Sequence, residues 1–279
     1  TSGAGAADDL SVTQNIEAQN LSNSGWDYTS SSSYITLSFW AKSSVAQTFY
    51  TGIRIYGDDQ REYCFAYTLA ANTWKKVTHS IPGGSGHTIL NTNAVGAFIQ
   101  WPLWWGTNYT SSGRAVDTWQ IKNNASNYPD NTSTWYTTND ATFEITGVQL
   151  EVGSVATDFE HRSYGEELTR CKRYYNRYQT GQDVYIGETS FQFNSTVAVT
   201  PIKFNPEMRA TPSLDVANGT NYFYKWAIGA GITFDTFSAI NSMNNKGGCV
   251  NATVSGTAGD AAGLYCNSSS SFLAFEAEL

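Results

Sequence analysis

The feature that most constrains this chain is an alternation of apolar and polar residues with a period of two. The stretch "YITLSFWAKSS" (34–44) places Ile35, Leu37 and Phe39 on one side of an extended strand and mostly polar residues on the other. Similar segments recur along most of the chain, separated by turn signals at a spacing of roughly 8–12 residues. This pattern predicts an all-β protein built as a sandwich or a barrel.

The alternation breaks once, at "HRSYGEELTRCKRYYNRY" (161–178), which has the character of a helix about four turns long. Ser163 and Glu166 have the spacing of a capping box, and the cations gather toward the end of the segment, where a helix dipole favours them. The sequence therefore predicts a first β domain over 1–160, a junction helix over 161–178 and a second, smaller β domain over 179–279.

Charge and hydropathy exclude two classes of partner. The 279 residues carry a formal net charge of −8 and a pI near 4.8, which argues against nucleic acid, because its phosphates demand clustered Lys and Arg. The sequence contains no apolar run of about 18 residues, so we expect no membrane insertion.

Four cysteines and three histidines, with no CxxC pair, argue against a zinc site. Cys249 and Cys266 flank a glycine-rich loop and could pair, but free thiols are equally consistent with the sequence. We expect no cofactor, with a structural calcium ion as the weaker alternative. Its conceivable ligands are Asp8, Asp9, Glu17 and Glu151, for which solvated surface acids are the competing interpretation.

The stretch "WPLWWGTNY" (101–109) holds three of the nine tryptophans. As a regular strand it places Trp101 and Trp105 on an apolar core face and turns Trp104 outward. Pro102 cannot donate to a ladder, so we expect an edge or a bulge at that point.

Exposed aromatic rings beside short polar side chains suit sugars, whose apolar face stacks on a ring while hydroxyls on the rim form hydrogen bonds. For any single ring, burial in a loop is the competing interpretation. The candidate glycan-binding residues are Trp104, Tyr109, Trp119, Trp135, Tyr136, Asn108, Asp117 and Asn139.

No arrangement of residues predicts catalysis. The acidic residues fall in predicted loops without a spacing that selects a glycosidase pair, and no GxSxG nucleophile elbow is present. We therefore expect a protein that is not an enzyme.

Several stretches together resemble a group of bacteriophage virion proteins found among tail fibres and minor structural proteins. The resemblance rests on "TLSFWAKSS" (36–44), "NTWKKVTHSIPG" (72–83), "FEITGVQLEVGSVATDFEHRSYGEELTRCKRYY" (143–175), "MRATP" (208–212) and "AEL" (277–279). The junction within 143–175 is its specific part. Members of the group usually carry an earlier stretch with the first strands of a jelly roll, which we expect to lie upstream or to have been lost.

The resemblance implies a first domain that is a jelly-roll β-sandwich similar to a carbohydrate-binding module. It also implies a virion protein at an extracellular tail or capsid surface, with host-surface glycans, other virion proteins and further copies of itself as partners. A homotrimer is expected by analogy. The expected contacts at the junction or between subunits are Arg170, Arg173, Tyr174, Tyr175 and Arg177.

Three functional hypotheses follow. The first is glycan recognition on the host surface by a tail fibre or similar appendage. The second is a structural capsid or tail decoration protein whose aromatic residues build subunit interfaces. The third is an accessory binding module of a polysaccharide-degrading enzyme.

Overall fold

A computed structural model describes residues 4–227 and 230–278. Antiparallel strands make up about half of this part of the chain, and its three helices are short, so the predicted all-β class is confirmed. The chain divides after His161 into two compact units, the second being Arg162–Glu278. Among the described residues, none of the helices has the length and apolar character needed to cross a membrane.

The first unit consists of a five-stranded and a three-stranded antiparallel sheet. Its elements are β1 Asp9–Glu17, α1 Ala18–Ser22, β2 Tyr34–Ser43, β3 Gln47–Ile55, β4 Arg61–Leu69, β5 Lys75–Pro82, β6 Val95–Trp105, β7 Trp119–Ile121, α2 Thr134–Thr137 and β8 Phe143–Val152. The five strands are ordered β1-β6-β3-β4-β7, and the other three β5-β2-β8.

The core of the first unit follows the predicted alternation. Leu37 and Phe39 of β2 are fully buried and share one hydrophobic cluster with Phe49 of β3 and Trp101 of β6. The Phe39 and Trp101 rings meet edge to face at 5.7 Å. Burying each such side chain contributes about 1.5–3 kcal/mol, which selects the register that turns this face inward.

Strand β6 contains the irregularity that Pro102 predicts. Leu10 of β1 lies opposite Trp104, but the next residue, Ser11, lies opposite Pro102, so that Leu103 is an extra residue on β6. Such a bulge disrupts the ladder and reorients the side chains that follow it. The prediction of an edge or bulge at Pro102 is therefore confirmed.

The second unit also contains two antiparallel sheets over a core of its own. Its elements are α3 Tyr164–Cys171, β9 Tyr175–Thr180, β10 Val184–Asn194, β11 Val197–Lys203, β12 Ser213–Val216, β13 Phe223–Ala227, β14 Ala230–Phe234, β15 Phe237–Asn244, β16 Gly247–Thr253, β17 Ala261–Cys266 and β18 Phe272–Glu276. The seven-stranded sheet is ordered β14-β13-β17-β10-β11-β16-β15, and the three-stranded sheet β12-β18-β9.

The predicted helix over 161–178 is wrong in length. Ser163 and Glu166 do form the capping box, but α3 ends at Cys171. Residues from Tyr175 onward form β9, which pairs with β18 and packs the Tyr178 ring on Phe275 at 6.1 Å. Aromatic residues favour strands, and burial in this sheet outweighs the helical pattern of charges.

The five residues predicted as junction contacts lie on this corrected segment. The Tyr175 hydroxyl donates to an Asp215 carboxylate oxygen at 2.9 Å, and the Arg177 guanidinium lies 4.7 Å from the centre of the Phe272 ring. Arg173 lies 5.9 Å from the ring centre of Tyr174. These contacts form within the second unit, and the exposed Arg170 lies on the last turn of α3.

All four cysteines are free thiols. Cys64 and Cys266 are buried, Cys249 is half-buried and Cys171 is exposed. Burial raises the pKa of the Cys64 thiol to about 11, so this thiol is inert at neutral pH.

Candidate functional site

The segment 106–131 contributes the edge strand β7 to the five-stranded sheet, and its other residues partly cover the face of the sheet that points away from the core. This segment is here called the covering segment. The Cys64 thiol on this face donates to the Ala115 carbonyl oxygen at 3.4 Å. At the start of β4, the Lys122 N–H donates to the Gln60 carbonyl oxygen at 2.8 Å. Contacts between residues that are distant in sequence thus attach the covering segment to the sheet.

Tyr128 anchors the covering segment at the centre of the sheet. Its ring lies against Gly52 of β3, where a Cβ would come within 2.7 Å of the Tyr128 hydroxyl oxygen. The hydroxyl donates to Gln100 Oε1 at 3.2 Å. Burial raises the pKa of Tyr128 well above its ordinary value, so the hydroxyl stays protonated and keeps its role as a donor.

A buried ionic cluster joins the covering segment to the strands. The Glu62 carboxylate contacts Arg54 of β3 through one oxygen and Arg114 of the covering segment, at 2.9 Å, through the other. Burial raises the pKa of Glu62, and the positive charges of Arg54 and Arg114 oppose that rise. Removing one partner of such a cluster is costly, because it leaves a charge buried without compensation.

An open cleft of about 380 Å³ lies where the covering segment meets the end of β6, a volume within the range of about 300–1,000 Å³ typical of small-molecule sites. The Trp105 and Tyr109 rings lie 5.8 Å apart at 68° and form its apolar part. The cleft is lined by Asp9, Arg54, Trp105, Tyr109, Asn124 and Asn127.

Hydrogen bonds fix the polar side of the cleft. Asn127 Oδ1 accepts from Arg54 at 3.1 Å, and Asn127 Nδ2 donates to the Asn124 carbonyl oxygen at 3.0 Å. The Asn127 N–H donates to the Tyr109 carbonyl oxygen at 2.8 Å. Asp9 and Asn124 are exposed at the rim. The cleft thus combines two aromatic rings, a carboxylate, amides and a guanidinium held by Glu62 and Asn127, a combination suited to polyhydroxylated ligands.

No family model matches this chain. Neither a curated protein nor a solved structure matches it.

The prediction that Trp104 exposes its ring is wrong. Trp104 is only 7% exposed and stacks on Tyr136 at 5.6 Å and 17°. Trp105, predicted to pack in the core, lines the cleft instead. The bulge at Leu103 reverses the alternation and exchanges the two tryptophans.

Three further predicted rings pack into the first unit. Trp135 is buried and donates from Nε1 to the Thr142 carbonyl oxygen at 3.1 Å, while Tyr136 is half-buried against the core. Trp119 donates from Nε1 to the Pro82 carbonyl oxygen at 2.6 Å. These rings are buried or half-buried, but they lie on β7 and α2 rather than in loops.

The predicted polar residues are dispersed. Tyr109 is the predicted residue that lines the cleft, and the exposed Asn108 directly precedes it in sequence. Asp117 is exposed, has a left-handed backbone (φ 58°) and lies 3.2 Å from His79 Nε2. Asn139 donates to Asp140 at 2.6 Å. Of the six cleft residues, the sequence predicts only Tyr109 as a ligand-binding residue; it selects Asp9 only as a conceivable calcium ligand and does not select Arg54, Trp105, Asn124 or Asn127. The bulge predicted at Pro102 signals a change in the alternation but does not identify the residue that moves outward.

The four conceivable calcium ligands make separate contacts. Asp8 accepts from the Gly5 N–H at 2.8 Å, Glu17 is fully buried beside Gln19, and Glu151 accepts from the Thr157 N–H at 3.2 Å. Within 4–227 and 230–278, no group of three or more His, Cys, Asp or Glu residues could hold a metal ion.

Proposed function

We propose that this protein binds carbohydrate non-covalently in the cleft formed by Trp105, Tyr109 and the polar rim. The paired rings carry this proposal. Their π faces are electron-rich and suit the C–H groups on the apolar face of a sugar. The Asp9 carboxylate and the Asn124 amide stand at the rim, where hydroxyl groups would meet them.

Charge favours a neutral sugar over an anionic one. The cation in the cleft, Arg54, is already paired with Glu62, and the rim adds the exposed carboxylate of Asp9. The chain as a whole carries a formal charge of −8, so an acidic polysaccharide would be repelled at low salt.

The architecture of the first unit supports this function. Two antiparallel sheets share one hydrophobic core, as in a β-sandwich. We propose that this unit is a jelly roll similar to a carbohydrate-binding module, with residues 106–131 as its recognition loop. Binding residues are found disproportionately on loops positioned by a rigid scaffold.

The resemblance carried by residues 143–175 extends the proposal to the biological setting. We propose a virion protein in a tail fibre or similar appendage, exposed outside the cell, that recognises glycans on the host surface. A homotrimer would present three copies of the cleft, and linked sites raise avidity by about 10²–10⁴ when geometry permits simultaneous binding.

Binding of the full chain to an array of neutral glycans tests the proposal, followed by titration calorimetry with the best ligand. Trp105→Ala and Tyr109→Ala should each weaken binding about tenfold or more, as expected for central aromatic contacts. Trp74→Ala is the matched control, because Trp74 is an exposed tryptophan of the first unit that does not line the cleft. Retention of no neutral glycan, or an equal loss in the Trp74 variant, would contradict the proposal.

A further inference from the structure

A row of aromatic residues crosses the seven-stranded sheet of the second unit on the face opposite its core. Tyr185 of β10 is in register with Tyr265 of β17, which is in register with Tyr224 of β13. Adjacent rings in this row lie 5.4 and 4.8 Å apart. Trp226, two residues beyond Tyr224, shares its face of β13. These four residues are here called the aromatic platform.

The fold does not need these rings for its core. The neighbours of the platform residues on the same strands, Ile186, Phe223 and Leu264, point the other way and are fully buried. Tyr185 is 57% exposed and Trp226 is 60% exposed. Leaving a large apolar side chain in water forgoes about 1.5–3 kcal/mol of burial, and exposed apolar clusters often mark binding surfaces.

Glycines on adjacent strands make room for two of the tyrosine rings. A Cβ at Gly263 would come within 3.1 Å of the Tyr185 ring, and a Cβ at Gly231 would overlap the Tyr224 hydroxyl. Both rings therefore cover bare backbone on the neighbouring strand. Adjacent rings of the row are tilted against each other by 56° and 41°.

Trp226 stands between the same two glycines. It is in register with Gly231 on one side and with Gly263 on the other. The space over these glycines is taken by the platform itself, because the Tyr224 ring covers Gly231 and the Tyr185 ring lies beside Gly263. The platform thus combines aromatic rings with tyrosine hydroxyl groups in one continuous surface.

From this arrangement we propose that the aromatic platform is a second carbohydrate-binding surface, suited to an extended neutral polysaccharide. Consecutive sugars would stack on successive rings while the tyrosine hydroxyls bind the hydroxyl groups of the sugars. The platform itself carries neither a carboxylate nor a cation, which favours an uncharged chain.

The alternative occupant is a second copy of this chain. A stable protein interface needs about 800 Å² from each partner, with closely packed surfaces. The four platform side chains, of which Tyr224 and Tyr265 are half-buried, supply less than that area. Tyrosine and tryptophan, rather than aliphatic residues, also suit a ligand rich in hydroxyl groups.

Affinity electrophoresis of the full chain in native gels with galactomannan, xyloglucan, hydroxyethyl cellulose or dextran tests the platform separately from the cleft. We expect the Trp105→Ala/Tyr109→Ala variant to remain retarded by at least one of these polysaccharides. Adding Tyr185→Ala and Trp226→Ala should weaken this residual binding about tenfold or more. The control is Phe193→Ala, an exposed aromatic residue on β10 outside the platform, which should leave the mobility unchanged.

Two further measurements complete the test. Trp226→Tyr should restore most of the binding lost in Trp226→Ala, because it returns a ring with a polar group. Sedimentation velocity should give the same oligomeric state for the full chain and for the platform variants. The proposal is overturned if no polysaccharide retards the cleft variant, if Phe193→Ala reduces retardation equally, or if the platform substitutions dissociate an oligomer.

Discussion

Replacing Gly52 with alanine tests whether Tyr128 holds the covering segment in place. The new Cβ would lie 2.7 Å from the Tyr128 hydroxyl oxygen, 3.0 Å from Cε1 and 3.2 Å from Cζ. The ring must move, which breaks the buried hydrogen bond to Gln100 and the edge contact with Trp105 at 5.2 Å.

Two costs add to the expected destabilisation. Overpacking in a filled interior costs about 1–3 kcal/mol. A buried polar group left without its partner costs about 1–3 kcal/mol more. The total of about 2–6 kcal/mol corresponds to a fall of roughly 4–24 °C in the melting temperature of a unit of this size.

Tryptophan fluorescence during thermal unfolding measures this effect in the first unit, because Trp226 is the only one of the nine tryptophans beyond residue 161. The control is Gly113→Ala in the same covering segment, where the nearest atom to a new Cβ is 3.7 Å away. We expect the control to melt like the wild type. Equal melting temperatures for Gly52→Ala and the wild type would refute the anchoring role of Tyr128.

Two further predictions concern buried charge. Burial, with a further contribution from Arg61, lowers the pKa of His87 from 6.5 to about 4. As the pH drops from 6.5 to 4, the unfolded chain therefore takes up a proton at His87 before the folded chain does. The free energy of unfolding falls over this range by up to about 3 kcal/mol. His87→Phe should remove this part of the pH dependence of the free energy of unfolding, which urea unfolding from pH 7 to 4 measures. Parallel curves of stability against pH for the variant and the wild type would contradict the prediction. Arg114→Met should cost about 3–5 kcal/mol in urea unfolding at pH 7, because Glu62 loses a buried partner. A comparable loss in Lys122→Met would show that the buried contact of Arg114 is not the cause.

The local sequence pattern was sufficient to predict the strands and much of the core. In β2, the apolar side chains expected to face inward are buried, including Leu37 and Phe39. Ser163 and Glu166 were also predictable, because a capping box depends on neighbours only three residues apart.

Tertiary context decided the rest. Tyr175 and Arg177 continue a helical pattern of charge, yet pairing with β18 makes them part of a strand. Trp104 and Trp105 exchange roles because one extra residue on β6 reverses the alternation. A sequence pattern can indicate that a bulge is present but not which residue it adds.

The candidate cleft was the least predictable feature, since distant segments build it. Asp9 comes from β1, Arg54 from β3 and Asn124 from the covering segment. In the sequence, Arg54 and Glu62 have the pattern of ordinary polar residues on strands. Arg114, which contacts Glu62, is 52 residues away from it in sequence. Without knowledge of the pairing between strands, these residues cannot be placed together.

The ionic cluster beneath the covering segment has a consequence for how such a surface can evolve. Arg114 and Tyr128 attach the covering segment to the sheet through contacts on the side of the segment that faces the strands. These two residues are separate from the residues of the segment that face solvent, such as Asn108 and Asn124. Substitutions at the solvent-facing positions leave the attachment intact. Under the proposed function, ligand preference can therefore diversify at these positions at little cost in folding free energy, in the way that antibody loops vary on a constant framework.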